Sequence, residues 1–138
     1  MSAKPASEHQ IQSAFIKRVR MNEKKYPMLK MLFAIPSGGA RTAITGAMLK
    51  REGVIKGVPD LFLAYPSQGL HGLFIEFKAA RGVLSSEQRE MINALEDNLY
   101  ACVVCRDAGE AWEQVMEYLD QPLRDSEGRL IIAPEQDE

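Results

Sequence analysis

Asp60, Glu76 and Lys78 are the residues whose types and spacing suit bond-making chemistry. They lie in GVPDLFLAYPSQGLHGLFIEFKAARG, residues 57–82, where two apolar runs, DLFLAY and GLFIEFKA, flank PSQGLHG. A strand alternates its faces, so Leu73, Ile75 and Phe77 point one way and Phe74, Glu76 and Lys78 the other. The closeness of the two runs predicts an antiparallel hairpin, since a parallel connection needs about a dozen residues or more. Folding about that turn brings Asp60 near Glu76 and Lys78. Two hard carboxylates suit Mg²⁺, which keeps waters for a phosphate substrate, and the ammonium would stand beside one of those waters. A structural ion pair on a solvent face of the hairpin is the competing account, and spacing alone leaves both open.

Glu8 is a separate clue. It precedes Ile11, Gln12 and Phe15 by three, four and seven residues, which places this acid on the inward face of its helix. A cation at the hairpin would satisfy it, and the helix dipole also favours an acid in a first turn without any function.

The elements that must position these groups follow from periodicity and caps. ASEHQIQSAFIKRVR has Ser7 and Gln10 at capping-box spacing, with Ile11, Phe15 and Val19 on one helical face. MLFAIP reads as a short strand stopped by Pro36 and entering the Gly38-Gly39 loop, and RTAITGAMLKREG as a second helix closed by Gly53. After the hairpin, LSSEQREMINALEDN is a helix with Ser85 and Gln88 at capping-box spacing and Met91, Ile92 and Leu95 inward. YACVVC reads as a short buried strand. Asp107 and Glu110 could cap a last helix whose Trp112, Val115, Met116 and Leu119 form a core stripe. The order is helix, strand, helix, two hairpin strands, helix, strand, helix, an α/β fold with helices on a mixed sheet. Residues 1–122 are expected to form the domain and 123–138 an acidic tail, with Leu130 to Ala133 as a peripheral strand or a partly ordered end.

The whole chain sets bounds. Its 138 residues, 46% hydrophobic and 26% charged, suit one globular domain, and no apolar stretch approaches the roughly 20 residues needed to cross a bilayer. The polar start lacks the apolar segment of a secretory signal, so a cytoplasmic location is expected and no membrane partner. Cys102 and Cys105, three apart on a strand, face opposite sides and read as core residues. The net charge of −2 hides an asymmetry: residues 1–58 hold eleven Lys or Arg against Glu8, Glu23 and Glu52, giving +8. Such clustering points to a polyanion partner, and equally fits a solvated helix face.

GVPD, sixteen positions from Asp60 to Glu76, and then EFK together resemble the PD-(D/E)XK nuclease signature, and the element order is similar to that superfamily's restriction-endonuclease-like core. IPSGGART, LKREGVIKGVPDLFLA, LFIEFKA and LSSEQREMINAL, in that order, look like the VRR-Nuc family, in particular its small standalone members of phage and bacterial genomes. The resemblance implies that Asp60 and Glu76 ligate Mg²⁺ or Mn²⁺ with the backbone carbonyl of Phe77, and that Lys78 orients or deprotonates the attacking water. It also implies that Glu8, a further candidate ligand, is the family's acid on the first helix, and that Gln88 is the glutamine opening the helix after the catalytic strands. Ser37 and Ser86 stand where asparagine and proline would be expected.

Arg41, Lys50, Arg51 and Lys56 flank the Gly38-Gly39 loop and approach Asp60, where they could hold a nucleic-acid backbone. No aromatic-rich reading motif appears, so recognition by shape is expected. The resulting expectation is a metal-dependent DNA endonuclease for branched or structured DNA, similar to a Holliday-junction resolvase and acting as a homodimer in a bacterial or phage-infected cell. The alternatives are a flap or nicking nuclease using the same residues, a catalytically silent DNA-binding module, and an assembly protein whose hairpin charges are structural.

Overall fold

Ser7 opens α1 (Glu8–Met21) by accepting the Gln10 amide, and the Gln10 side chain accepts the Ser7 N–H in return, as the spacing in SEHQ predicts. The structure, a computed structural model, describes residues 4–36 and 43–121, together with 127 and 129. Arg41, the Gly38-Gly39 loop and the expected strand at Leu130 to Ala133 lie outside the described residues.

After α1 come a 3-10 turn at Pro27–Met31, β1 (Leu32–Ala34), α2 (Ala43–Arg51), β2 (Leu61–Leu63), β3 (Leu73–Phe77), α3 (Ser86–Asp97), β4 (Ala101–Cys105) and α4 (Ala108–Tyr118). The four strands lie in the order β1-β2-β3-β4. Antiparallel pairing joins β1 to β2 and β2 to β3, whereas β3 and β4 are parallel and α3 makes the crossover between them. The predicted hairpin is therefore present, within a mixed α/β sheet.

Each face of that sheet has its own job. Leu32, Leu63 and Leu73 form one row of the first face, Leu61 and Ile75 the next, and Phe77 continues it. These residues are buried beneath α1 and α4, where Phe15 meets Phe77 at 5.8 Å between ring centroids and Ile11, Val19, Trp112, Val115 and Met116 complete the core. Burial of such side chains, worth about 1.5–3 kcal/mol each, is what fixes the register, because a one-residue slip would turn the whole row to the other side. The second face carries Glu76, and α3 packs over its β4 side.

One expectation changes. YACVVC is not a buried strand: among the described residues β4 has a strand, β3, on one side, and Ala101 to Val104 are half-buried while Cys105 is fully buried. Met91, Ile92 and Leu95 of α3 turn inward as expected and are half-buried where α3 packs on β4. Cys105 joins the core as expected while Cys102 is half-buried, and burial pushes both thiols up to about 12, so neither is a ready thiolate. Among the described residues no helix is long and apolar enough to cross a membrane.

Candidate active site

Leu61 pairs with Ile75, so Asp60 and Glu76 fall opposite each other on neighbouring strands and project from the same face. Asp60 Oδ2 accepts the Phe77 N–H at 2.7 Å. Glu76 Oε1 accepts Gln88 Nε2 at 2.9 Å and lies 3.4 Å from Lys78 Nζ. Gln88 is itself held, because its Oε1 accepts the Ser85 N–H at 2.9 Å while the Ser85 hydroxyl accepts the Gln88 amide. The capping box of α3 thus aims an amide donor at Glu76.

Burial dominates the electrostatics of these charges. Glu76 is only 3% exposed, and burial together with the Asp60 charge pushes its carboxyl up to about 7 even though Lys78 pulls the other way. Asp60 is also raised, first by burial and also by Glu8, against the Phe77 amide, a hydrogen bond with Glu76 and the Lys78 charge. Two like charges this close each disfavour the other's ionised form, and a cation between them would offset that repulsion.

Glu8, Asp60, Glu76, Gln88 and Lys56 line one cleft of about 390 Å³. Glu8 is exposed, not turned inward as its helical phase predicts, because the first turn of α1 extends past the core and over the cleft. Its charge raises both other carboxyls, yet among the described residues no three His, Cys, Asp or Glu side chains converge as a metal cage. The donor set that fits a hard divalent cation is therefore Asp60 and Glu76, with room in an open cleft for water and substrate oxygens. Lys78 reaches the cleft through Glu76. Lys50, Arg51 and Lys56 are exposed, and Lys50 and Lys56 also line a hollow that shares Ile55 and Lys56 with the cleft.

The VRR-NUC domain model matches residues 6–109, which include every one of these groups. The chain belongs to the VRR-NUC family. A solved structure described as a VRR_NUC domain protein is similar in fold, with a TM-score of 0.69 and 22% identity over 93% of this chain and 100% of that one. No curated protein matches the chain. Membership in the VRR-NUC family implies a nuclease-type function with DNA as substrate.

One contributor was not singled out from the sequence. Gly57, at the head of GVPD, has a φ of +92°, and a Cβ there would come within 2.6 Å of the Glu87 carbonyl oxygen in the first turn of α3. The glycine lets the strand carrying Asp60 and the helix carrying Gln88 approach each other. Its position just before the Pro-Asp pair was the available signal. Gly57→Ala is expected to cost about 2 kcal/mol through backbone strain and contact. It should also slow cleavage by moving Gln88 off Glu76. Urea denaturation and single-turnover rates check both, and unchanged values would show that α3 does not need this approach.

Proposed function

We propose that this VRR-NUC chain is a Mg²⁺- or Mn²⁺-dependent endodeoxyribonuclease for branched or structured DNA, of Holliday-junction-resolvase type, acting as a homodimer in the cytoplasm of a bacterial or phage-infected cell. The observation that carries the reading is geometric: Asp60 and Glu76 lie opposite each other in one cleft, with Lys78 Nζ 3.4 Å from Glu76 Oε1 and Gln88 donating to the same oxygen. When bound, the cation supplies stabilisation of phosphate oxygens and makes its water more acidic. Asp60 and Glu76 would hold it, with Glu8 and the Phe77 carbonyl as further candidate donors. Gln88 fixes the Glu76 carboxylate, and Lys78 would orient the attacking water or take its proton. Two copies are invoked because symmetric cutting of a four-way junction requires two active sites.

Cleavage of duplex, flap, splayed-arm and four-way-junction DNA in Mg²⁺, Mn²⁺ or EDTA tests the reading. Metal-dependent cutting of the four-way junction in preference to duplex is expected. A preference for flaps would keep the chemistry and overturn the junction assignment, while no cutting of any substrate would overturn the nuclease reading.

The basic half would hold the DNA backbone. Replacing Arg41, Lys50, Arg51 and Lys56 by Gln is expected to weaken binding and flatten its salt dependence, with less effect on the rate at saturating DNA. Binding over a salt series in Ca²⁺ measures this, and an unchanged slope would place the four cations off the DNA path.

A further inference from the structure

The second face of the sheet is laid out in rows. Ile35, Asp60 and Glu76 form one, since the Ile35 N–H donates to the Asp60 carbonyl and Asp60 lies opposite Glu76. Phe33, Phe62 and Phe74 form the next, paired residue by residue across β1, β2 and β3. Phe62 and Phe74 are stacked at 4.3 Å between centroids, Phe33 meets Phe62 edge-on at 5.8 Å, and Tyr100 closes the far end against both inner rings. Gly72 is part of the construction: a Cβ there would lie 2.5 Å from the Phe62 ring, so only glycine lets that ring lie down over the sheet.

The ladder is buried at Phe74, 9% exposed, and open at Phe33, 46% exposed, because α3 covers the β4 side of this face and β1 is the opposite edge among the described residues. Same-face residues along a strand are about 7 Å apart and neighbouring strands about 5 Å, which places Phe33 one row and one strand from Asp60. That is within reach of a nucleotide or two from a phosphate held at the carboxylates.

We propose that Phe33 is a stacking platform for an unpaired base of the DNA beside the scissile phosphate, and so adds affinity for those branched substrates that carry a single-stranded segment. The proposal rests on the nuclease reading of the same face. Two observations favour a base over a second copy of the chain. The ring shares a face with the carboxylates. Lys56 lines the adjoining cleft and suits the accompanying phosphates. Inside a duplex the faces of a base are covered by its stacked neighbours, whereas an unpaired base at a branch can turn one outward, and aromatic stacking tolerates any sequence. Phe33 thus adds an aromatic contact to the shape recognition expected from the sequence.

The test uses the full chain in Ca²⁺ with a splayed-arm DNA carrying 2-aminopurine in the unpaired arm next to the branch, and a fully paired four-way junction for comparison. Phe33→Leu keeps apolar bulk and removes the ring, and Phe33→Trp keeps an aromatic ring. Parent and Phe33→Trp are expected to quench the probe, whereas Phe33→Leu loses the quench and about tenfold in affinity for the splayed arm. Affinity for the paired junction and the molar mass in solution should be the same in all three, with matching thermal midpoints as the check on folding. Equal binding and quenching by Phe33→Leu would overturn the proposal. An equal loss on both DNAs, or a change of molar mass, would also overturn it and assign the ring to the fold or to a second copy. Because the readout is binding, a parent protein that quenches the probe but cuts nothing would refute the nuclease reading while sustaining the stacking one.

Discussion

Glu76→Gln or Asp60→Asn is expected to lower the single-turnover cleavage rate by about a thousandfold or more while the protein stays folded. Each change replaces a charged ligand by a near-isostere. The amide of Asp60→Asn would still offer an oxygen to the Phe77 N–H, and that of Glu76→Gln an oxygen to Gln88, so the hydrogen bonds that hold the two strands and α3 together survive. What disappears is one of two like charges that burial and mutual repulsion both penalise. Without metal, either variant should therefore melt no lower than the parent, and higher at a pH above 7, where the parent must hold Glu76 ionised. Single-turnover kinetics with thermal melts of the same preparations read both halves, and a variant that cuts as fast as the parent would remove its carboxylate from the site.

Lys78→Ala should slow the chemical step by about a hundredfold or more and leave DNA binding nearly unchanged. Lys78 is 9% exposed and its ammonium lies 3.4 Å from Glu76 Oε1, too enclosed to serve as a surface contact for the DNA backbone. Its removal also takes away the positive charge that lowers the Glu76 carboxyl, so some loss could come from a poorer carboxylate rather than from a missing water-orienting group. Titrating Mg²⁺ separates the two. A rate that stays low at saturating metal assigns Lys78 to the chemistry, whereas full restoration would mean that it only helps assemble the carboxylate pair.

The sequence made the hairpin and the helix starts legible because their causes are local. Two apolar runs separated by one short turn segment must fold back on each other, and Ser7-Gln10 and Ser85-Gln88 each close the cap that their spacing predicts. The alternation in LFIEF separated Ile75 and Phe77 from Glu76, and the structure buries the first two in the core and turns Glu76 to the cleft. Burial depth was less legible, since it depends on neighbours far along the chain. YACVVC is as apolar as an inner strand but among the described residues has only β3 beside it, and Glu8 has the phase of a core residue but is exposed at the cleft. The second role of Gln88, donating to Glu76 while it caps α3, follows only from the close approach at Gly57. Phe33 and Phe62 looked like ordinary strand residues, and their place on the same face as Asp60 and Glu76 needed the register.

The central claim is that Asp60 and Glu76 hold a divalent cation in this cleft. Uptake of Mn²⁺ by the DNA-bound protein, followed as loss of the free-ion EPR signal, tests it most directly when parent, Asp60→Asn and Glu76→Gln are compared at one pH. The parent should withdraw Mn²⁺ from solution at concentrations where neither variant does. Equal uptake by all three would contradict the claim and place the bound Mn²⁺ elsewhere on the complex.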